Sequence, residues 1–153
     1  MIYSLRLLNP SPKGKPIPHL RATDAAIAAH IWRYRAELAA FAIGNEPDRK
    51  AYHRSDPNIT GYRSYLAQWR RFAHAILAAA PGARFAGPDT GAYTPATYVH
   101  GQSWTQRFAA DQKGSVARIT QHQYVGAGPG ATTADQAIDN LLSPNWVAGS
   151  AIA

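Results

Sequence analysis

The sequence predicts an α/β fold built on a parallel sheet, and three observations predict it. Four short apolar segments alternate with four helical ones, in the order β-α-β-α-β-α-β-α. Such alternation calls for right-handed crossovers between parallel strands, in either a doubly wound sheet or a (β/α)8 barrel. No strand is followed by a G-x-G-x-x-G fingerprint, and the glycine-rich stretch Gly126 to Gly130 lacks both that spacing and the lysine of a phosphate loop, which favours the barrel. In every unit the unusual polar residues directly follow a strand: Asn9, Asn45 with Glu46, Asp89, and His122 with Tyr124. That is the face on which barrel active sites are built.

Each element has its own justification. Ile2 to Leu8 is a short apolar run closed by Asn9-Pro10 and the proline-rich Ser11 to Pro18, a buried strand followed by a loop. Thr23-Asp24 is the expected helix start. Beyond it Ile27, Ile31, Tyr34 and Leu38 recur at steps of four, three and four, a stripe expected to face the core, with Arg33, Arg35 and Glu37 opposite. Ala40 to Gly44 forms a second buried strand that ends at Asn45-Glu46-Pro47. The strongest helical pattern comes next: Tyr62, Tyr65, Leu66, Trp69, Phe72, Ala73, Ile76 and Leu77 share one face, and Pro81-Gly82 stops it. This stripe is core and carries no functional weight.

Arg84 to Gly87 is the third predicted strand, with Gly87-Pro88-Asp89 at its carboxyl end. Ser103 to Ala110 is a shorter helix bearing Trp104 and Phe108, broken by Lys113-Gly114, and Val116 to Gln121 is the fourth strand. Thr133 with Gln136 three residues on makes a capping box for the last helix, whose apolar face is Ala137, Ile138, Leu141 and Leu142. A complete barrel needs eight units and about 250 residues. Residues 1–153 are therefore expected to form a single incomplete barrel domain.

Composition narrows the function classes. At 153 residues and 46% hydrophobic, with four Trp and eight Tyr, the chain is long enough to bury a core. With no cysteine, it has no disulfide and no thiolate metal site. His19, His30, His53, His74, His100 and His122 show no zinc spacing, so no metal and no cofactor is expected. Sixteen Lys and Arg against nine Asp and Glu give a net charge of +7, which can steer a polyanion. The basic residues are scattered and no nucleic-acid motif accompanies them, so nucleic acid is not an expected partner. The opening run to Leu8 is too short for a signal peptide's apolar region, which says nothing about export if the natural start lies upstream, and no run approaches membrane length, so no membrane partner is expected.

The chemistry rests on Asn45-Glu46-Pro47. At a barrel mouth, burial raises a carboxylic acid's pKa and lets it protonate a leaving-group oxygen. The neighbouring Asn can hydrogen-bond a sugar hydroxyl, and Pro47 fixes the turn. As a bare tripeptide the same residues fit a helix start, with the glutamate complementing the dipole. His122 alone fits a rim or core histidine, and Tyr124 alone a half-buried aromatic.

Taken together, Phe41-Ala-Ile-Gly-Asn-Glu-Pro-Asp48, the Tyr-x-x-x-Trp-x-x-Phe pattern within Tyr62 to Ile76, Phe85-Ala-Gly-Pro-Asp89 and Thr120-Gln-His-Gln-Tyr124 resemble glycoside hydrolase family 79. That family includes heparanase and bacterial β-glucuronidases, and it belongs to the clan A retaining (β/α)8 hydrolases. The resemblance runs through nearly the whole chain. It implies that the chain is the family's barrel from its third strand to its sixth helix. It further implies that Glu46 is the acid/base, that Asn45 contacts the sugar, that Tyr124 orients the nucleophilic carboxylate with His122 two positions before it, and that Asp89 lies at the rim.

Two departures stand against it. The heparanase branch carries a Lys shortly after its Asn-Glu motif, whereas Arg49 and Lys50 stand here at a different spacing. The nucleophile's strand is expected outside these residues. The resemblance thus implies a fragment of a retaining hydrolase of β-glycosides, uronic-acid-containing ones foremost, with a carbohydrate substrate, export of the whole protein, and no turnover by this chain alone. The rival from the sequence is a non-catalytic binder of acidic carbohydrate or another polyanion. Open barrel edges also predict self-association.

Overall fold

The structure is a computed structural model and describes residues 1–8, 16–49, 56, 58–91, 98–99, 102–122, 133–136 and 138. The chain divides into two compact units, Met1–His122 and Gln123–Ala153. Asn9, Lys50, Tyr124 and the glycine-rich stretch fall outside the described residues, as do Ala137, Leu141 and Leu142 of the last predicted helix.

In the first unit, β1 (Ile2–Leu5), β2 (Ala40–Ile43), β3 (Phe85–Thr90) and β6 (Arg118–Gln121) form one sheet in the order β1-β2-β3-β6. All three pairings are parallel, with Ile2 opposite Ala40, Phe41 opposite Phe85 and Ala86 opposite Arg118. A doubly wound sheet reverses its strand order at a switch point, whereas a barrel adds each strand beyond the last. Here each parallel strand is added on the same side. Every residue of β2 and β3 is buried, as expected of strands covered on both faces. At the sheet's end β6 is largely exposed, and Ile119 keeps 44% of its surface.

Helices α1 (Leu20–Ile31), α2 (Tyr62–Ala79) and α3 (Trp104–Asp111) supply the crossovers. The start of α2 is fixed by Ser64, whose Oγ accepts from the backbone N–H of Thr60 at 2.9 Å and of Gly61 at 3.1 Å. Its aromatic stripe forms the core as predicted. Trp69 meets Phe85 and Phe108 edge-on at centroid distances of 5.6 and 5.1 Å, and Tyr65 stacks on Trp104 at 5.5 Å. Such pairs add about 0.5–1.5 kcal/mol each beyond the area they bury. Leu77, expected on this face, is exposed. At α3, Ser103 Oγ accepts from Gln106 N–H while Gln106 Oε1 accepts from Ser103 N–H, a reciprocal capping box.

Two expectations are corrected. The helix expected to begin at Thr23-Asp24 begins at Leu20, and the face it buries is Leu20, Asp24, Ala25 and Ala28. Ile27 and Tyr34, expected inside, are exposed. The expectation rested on large apolar side chains, whereas the buried face of α1, a helix in contact with α2, is Leu20 with the small Ala25 and Ala28 and an inward-turned Asp24. Second, β3 runs on through Gly87-Pro88-Asp89. Proline lacks the N–H of a ladder, so the strand was expected to stop there; a register shift between Pro88 and Thr90 accommodates it. An unanticipated two-stranded antiparallel hairpin, β4 (Tyr98–Val99) with β5 (Gln102–Ser103), precedes α3. Strands of two residues carry no readable alternation. The outer strands are also shorter than expected, with Val116 packed on the core ahead of β6.

In the second unit, Gln136 N–H donates to Thr133 Oγ1 at 3.2 Å, the contact the capping pattern called for. No helix among the described residues is long and apolar enough to cross a membrane.

Candidate active site

The parallel register carries the ends of three strands to one place. Beyond β2, Glu46 N–H donates to Asp89 O at 2.7 Å, and beyond β6, His122 N–H donates to Thr90 O at 2.8 Å, so the ladder continues past the regular strands. Glycine is required at 44, where φ is +99° and an added Cβ would stand 3.2 Å from Leu7 Cβ. Glu46 itself has φ 46° and Asp89 φ 52°, both in the left-handed region that non-glycine residues rarely occupy. Such strained positions cost of order 1 kcal/mol each and concentrate at functional sites. Arg49 N–H donates to Glu46 O at 3.1 Å and closes the turn.

Glu46 is only 6% exposed. Its Oε1 lies 3.2 Å from His122 Nδ1 and its Oε2 lies 3.2 Å from Arg49 Nε. An ionised carboxylate only accepts, so in that state the hydrogen sits on His122 Nδ1. Asp48, also buried, accepts the Gly91 N–H at 2.8 Å, tying the turn after β2 to the end of β3. Beside it, the Thr90 and Thr105 hydroxyls lie 2.6 Å apart, and Thr105 donates to Gln121 Oε1 at 2.9 Å. These groups border a cavity of about 10 Å³, room for about one water.

Deeper in, the Tyr65 hydroxyl is fully buried with no hydrogen-bond partner among the described residues. Burial pushes its pKa well up, and the negative charge of Asp89 adds to the effect. Tyr62 is pushed up too, by burial and then by the hydrogen bond it donates to Asp111 Oδ2. Neither phenol is a source of protons near neutrality.

Of the residues predicted for the site, Glu46, Asp89 and His122 are brought together, and Asn45 stands exposed beside Glu46. Asp89 joins through its backbone carbonyl to Glu46 N. Tyr124 lies outside the described residues. Sequence reasoning missed Asp48, Gly91, Thr90, Thr105 and Gln121 as neighbours of the turn, and it weighed Arg49 only as a uronate contact. The three-residue spacing of Glu46 and Arg49 was a visible signal for their pairing; the others join across strands and left none. Among the described residues no group of three or more His, Asp or Glu is placed to hold a metal ion. What the geometry can do is proton transfer: a buried carboxyl group, with a histidine on one oxygen and an arginine on the other, faces the ends of a parallel sheet.

No protein-family model and no curated protein sequence matches the chain. Among solved structures it is similar to CelM2, a bifunctional glucanase-xylanase from a metagenome library, with a TM-score of 0.50 at 13% identity over 80% of this chain and 33% of that one. It is also similar to a monomeric β-xylosidase from Caulobacter crescentus CB15, with a TM-score of 0.45 at 17% identity over 99% of this chain and 34% of that one. The chain spans about a third of the length of each. The likeness to CelM2 is one of fold: α/β, with a parallel sheet.

Proposed function

We propose that this chain carries the acid/base half of a retaining glycoside hydrolase acting on β-glycosides, with uronic-acid-containing glycans of the family 79 kind as its substrates. The observation that carries the proposal is the buried Glu46 at the carboxyl end of β2, with its Oε1 3.2 Å from the imidazole of His122 beyond β6. In this proposal Glu46 protonates the glycosidic oxygen as the bond to the anomeric carbon breaks, then takes a proton from the water that releases the glycosyl group. Asn45 hydrogen-bonds a sugar hydroxyl, His122 holds Glu46 in its rotamer, and Asp89 lies at the rim. Tyr124 orients the nucleophile, which comes from outside these residues.

A retaining mechanism requires its two carboxyl groups about 5–5.5 Å apart. An acid/base half without its nucleophile binds and does not turn over. The test is paired: hydrolysis of 4-nitrophenyl β-glucuronide and β-xyloside by the chain, and calorimetric binding of the matching methyl glycosides. We expect no hydrolysis, together with binding that falls at least about tenfold in Asn45→Ala and Glu46→Gln, the loss of one good polar contact. Robust turnover would end the half-site reading. The net charge of +7 favours a second reading, a non-catalytic binder of acidic carbohydrate. Salt-sensitive glycan binding indifferent to Glu46→Gln would select it.

A further inference from the structure

Arg49 occupies a place made for it. Its side chain is 46% exposed, yet its Nε reaches the nearly enclosed Glu46 Oε2 at 3.2 Å. A Cβ added at Gly91 would stand 2.6 Å from that Nε and 3.3 Å from both Cζ and Nη2, so the guanidinium crosses the bare backbone at the end of β3. Gly91 is in turn fixed by the hydrogen bond its N–H donates to Asp48. The turn after β2 and the glycine that follows β3 are thus shaped around one arginine, and that arginine is aimed at the carboxylate.

Resting on the reading of Glu46 as acid/base, we propose that Arg49, laid across Gly91 and paired with Glu46 Oε2, is a positioning residue that keeps the carboxylate ionised until a ligand enters. It must then leave Oε2, and that oxygen must take up a proton from water, before it can deliver one to the glycosidic oxygen. An adjacent guanidinium favours the charged form of a carboxylate, which suits a base and opposes an acid. The two demands are met in turn if the cation can depart. Arg49 is half in solvent, so moving it out costs little, while His122 stays on Oε1 and preserves the aim of the carboxyl group. Among the described residues, the charged and titratable groups around this turn are Arg49 and Asp48 on the turn itself, Asp89 at the end of β3, His122 beyond β6 and, beneath them, Tyr65 of α2.

The chain contains two glutamates, Glu37 and Glu46, so carboxyl-labelled glutamate gives two titration curves by carbon NMR, with the exposed Glu37 as internal reference. In Arg49→Gln the Glu46 midpoint is expected to rise by about one pH unit while Glu37 stays still. Arg49→Lys keeps the charge and is expected to retain most of the wild-type midpoint. Gly91→Ala keeps Arg49 but denies it its seat, and a rise in the same direction is expected. An unchanged Glu46 midpoint in both Arg49→Gln and Gly91→Ala would overturn the proposal. That result beside glycoside binding that depends on Glu46 would remove the gate and leave the acid/base reading standing. The expected rise without any glycoside binding would support the gate and sink the glycosidase reading.

Discussion

Two buried carboxylates, Glu46 and Asp24, are 6% and 3% exposed, and they live in opposite circumstances. Glu46 has a partner on each oxygen and a backbone N–H held by the neighbouring strand. Asp24 sits on the inner face of α1 near Arg6, with its Oδ2 and the Arg6 Nη2 both buried and without hydrogen-bond partners among the described residues. Burial pushes the Asp24 pKa up to about 7, and the charge of Arg6 pulls it back only in part. The lesson is that burial alone does not make an acid useful. Glu46 is enclosed at the ends of strands where other segments converge on it, whereas Asp24 is enclosed by a helix face and a strand end that leave its Oδ2 without a hydrogen-bond partner among the described residues.

The largest effect should come from breaking the unsatisfied pair. Arg6→Ala leaves Asp24 buried without its counter-charge and should cost about 2–3 kcal/mol in urea unfolding at pH 8. Near pH 5, where Asp24 carries its proton, the loss should shrink markedly. An equal loss at both pH values would mean that Arg6 acts by packing alone.

Asp24→Asn should have the next largest effect. The folded pKa of about 7 lies above the unfolded value of about 3.9, so the folded chain binds the extra proton between them. Stability therefore falls as pH rises from about 4 to about 7 and is level above. The asparagine variant should lose that slope and gain about 1–2 kcal/mol at pH 8, discounted for the attraction of Arg6. Denaturation midpoints across pH 4–8 measure both.

Ser103→Ala removes a cap from the helix that flanks the site and should cost about 1 kcal/mol by thermal unfolding. The smallest effect on stability is expected at Glu46→Gln, under about 1 kcal/mol, because the amide keeps the size and Arg49 can return to water. A loss of several kcal/mol there would place Glu46 with Asp24 as a structural acid and undo the contrast.

Legibility followed the same division. The α2 stripe, the two central strands and the Ser103 helix were readable because large apolar or capping side chains recur there at a fixed period. The inner face of α1 was not, because Ala25, Ala28 and Asp24 carry no hydrophobic signal. At the site, Glu46, Asn45, Asp89 and His122 could be named from their positions after strands and from the family resemblance. Their grouping with Arg49, Gly91 and Thr105 could not, because those contacts span separate elements.

By itself the sequence determined the alternation of strands and helices, the aromatic core and the glutamate that follows β2, since each depends on residues close together in the chain. Only the tertiary structure decided which face α1 buries, that β3 continues through Pro88, and that Arg49 crosses Gly91 to reach Glu46. Those outcomes depend on close approach between segments some 40 residues apart, as Arg49 and Gly91 are in the chain. Local periodicity contains no term for such contacts, whereas packing of dense interiors decides them to within a few tenths of an ångström.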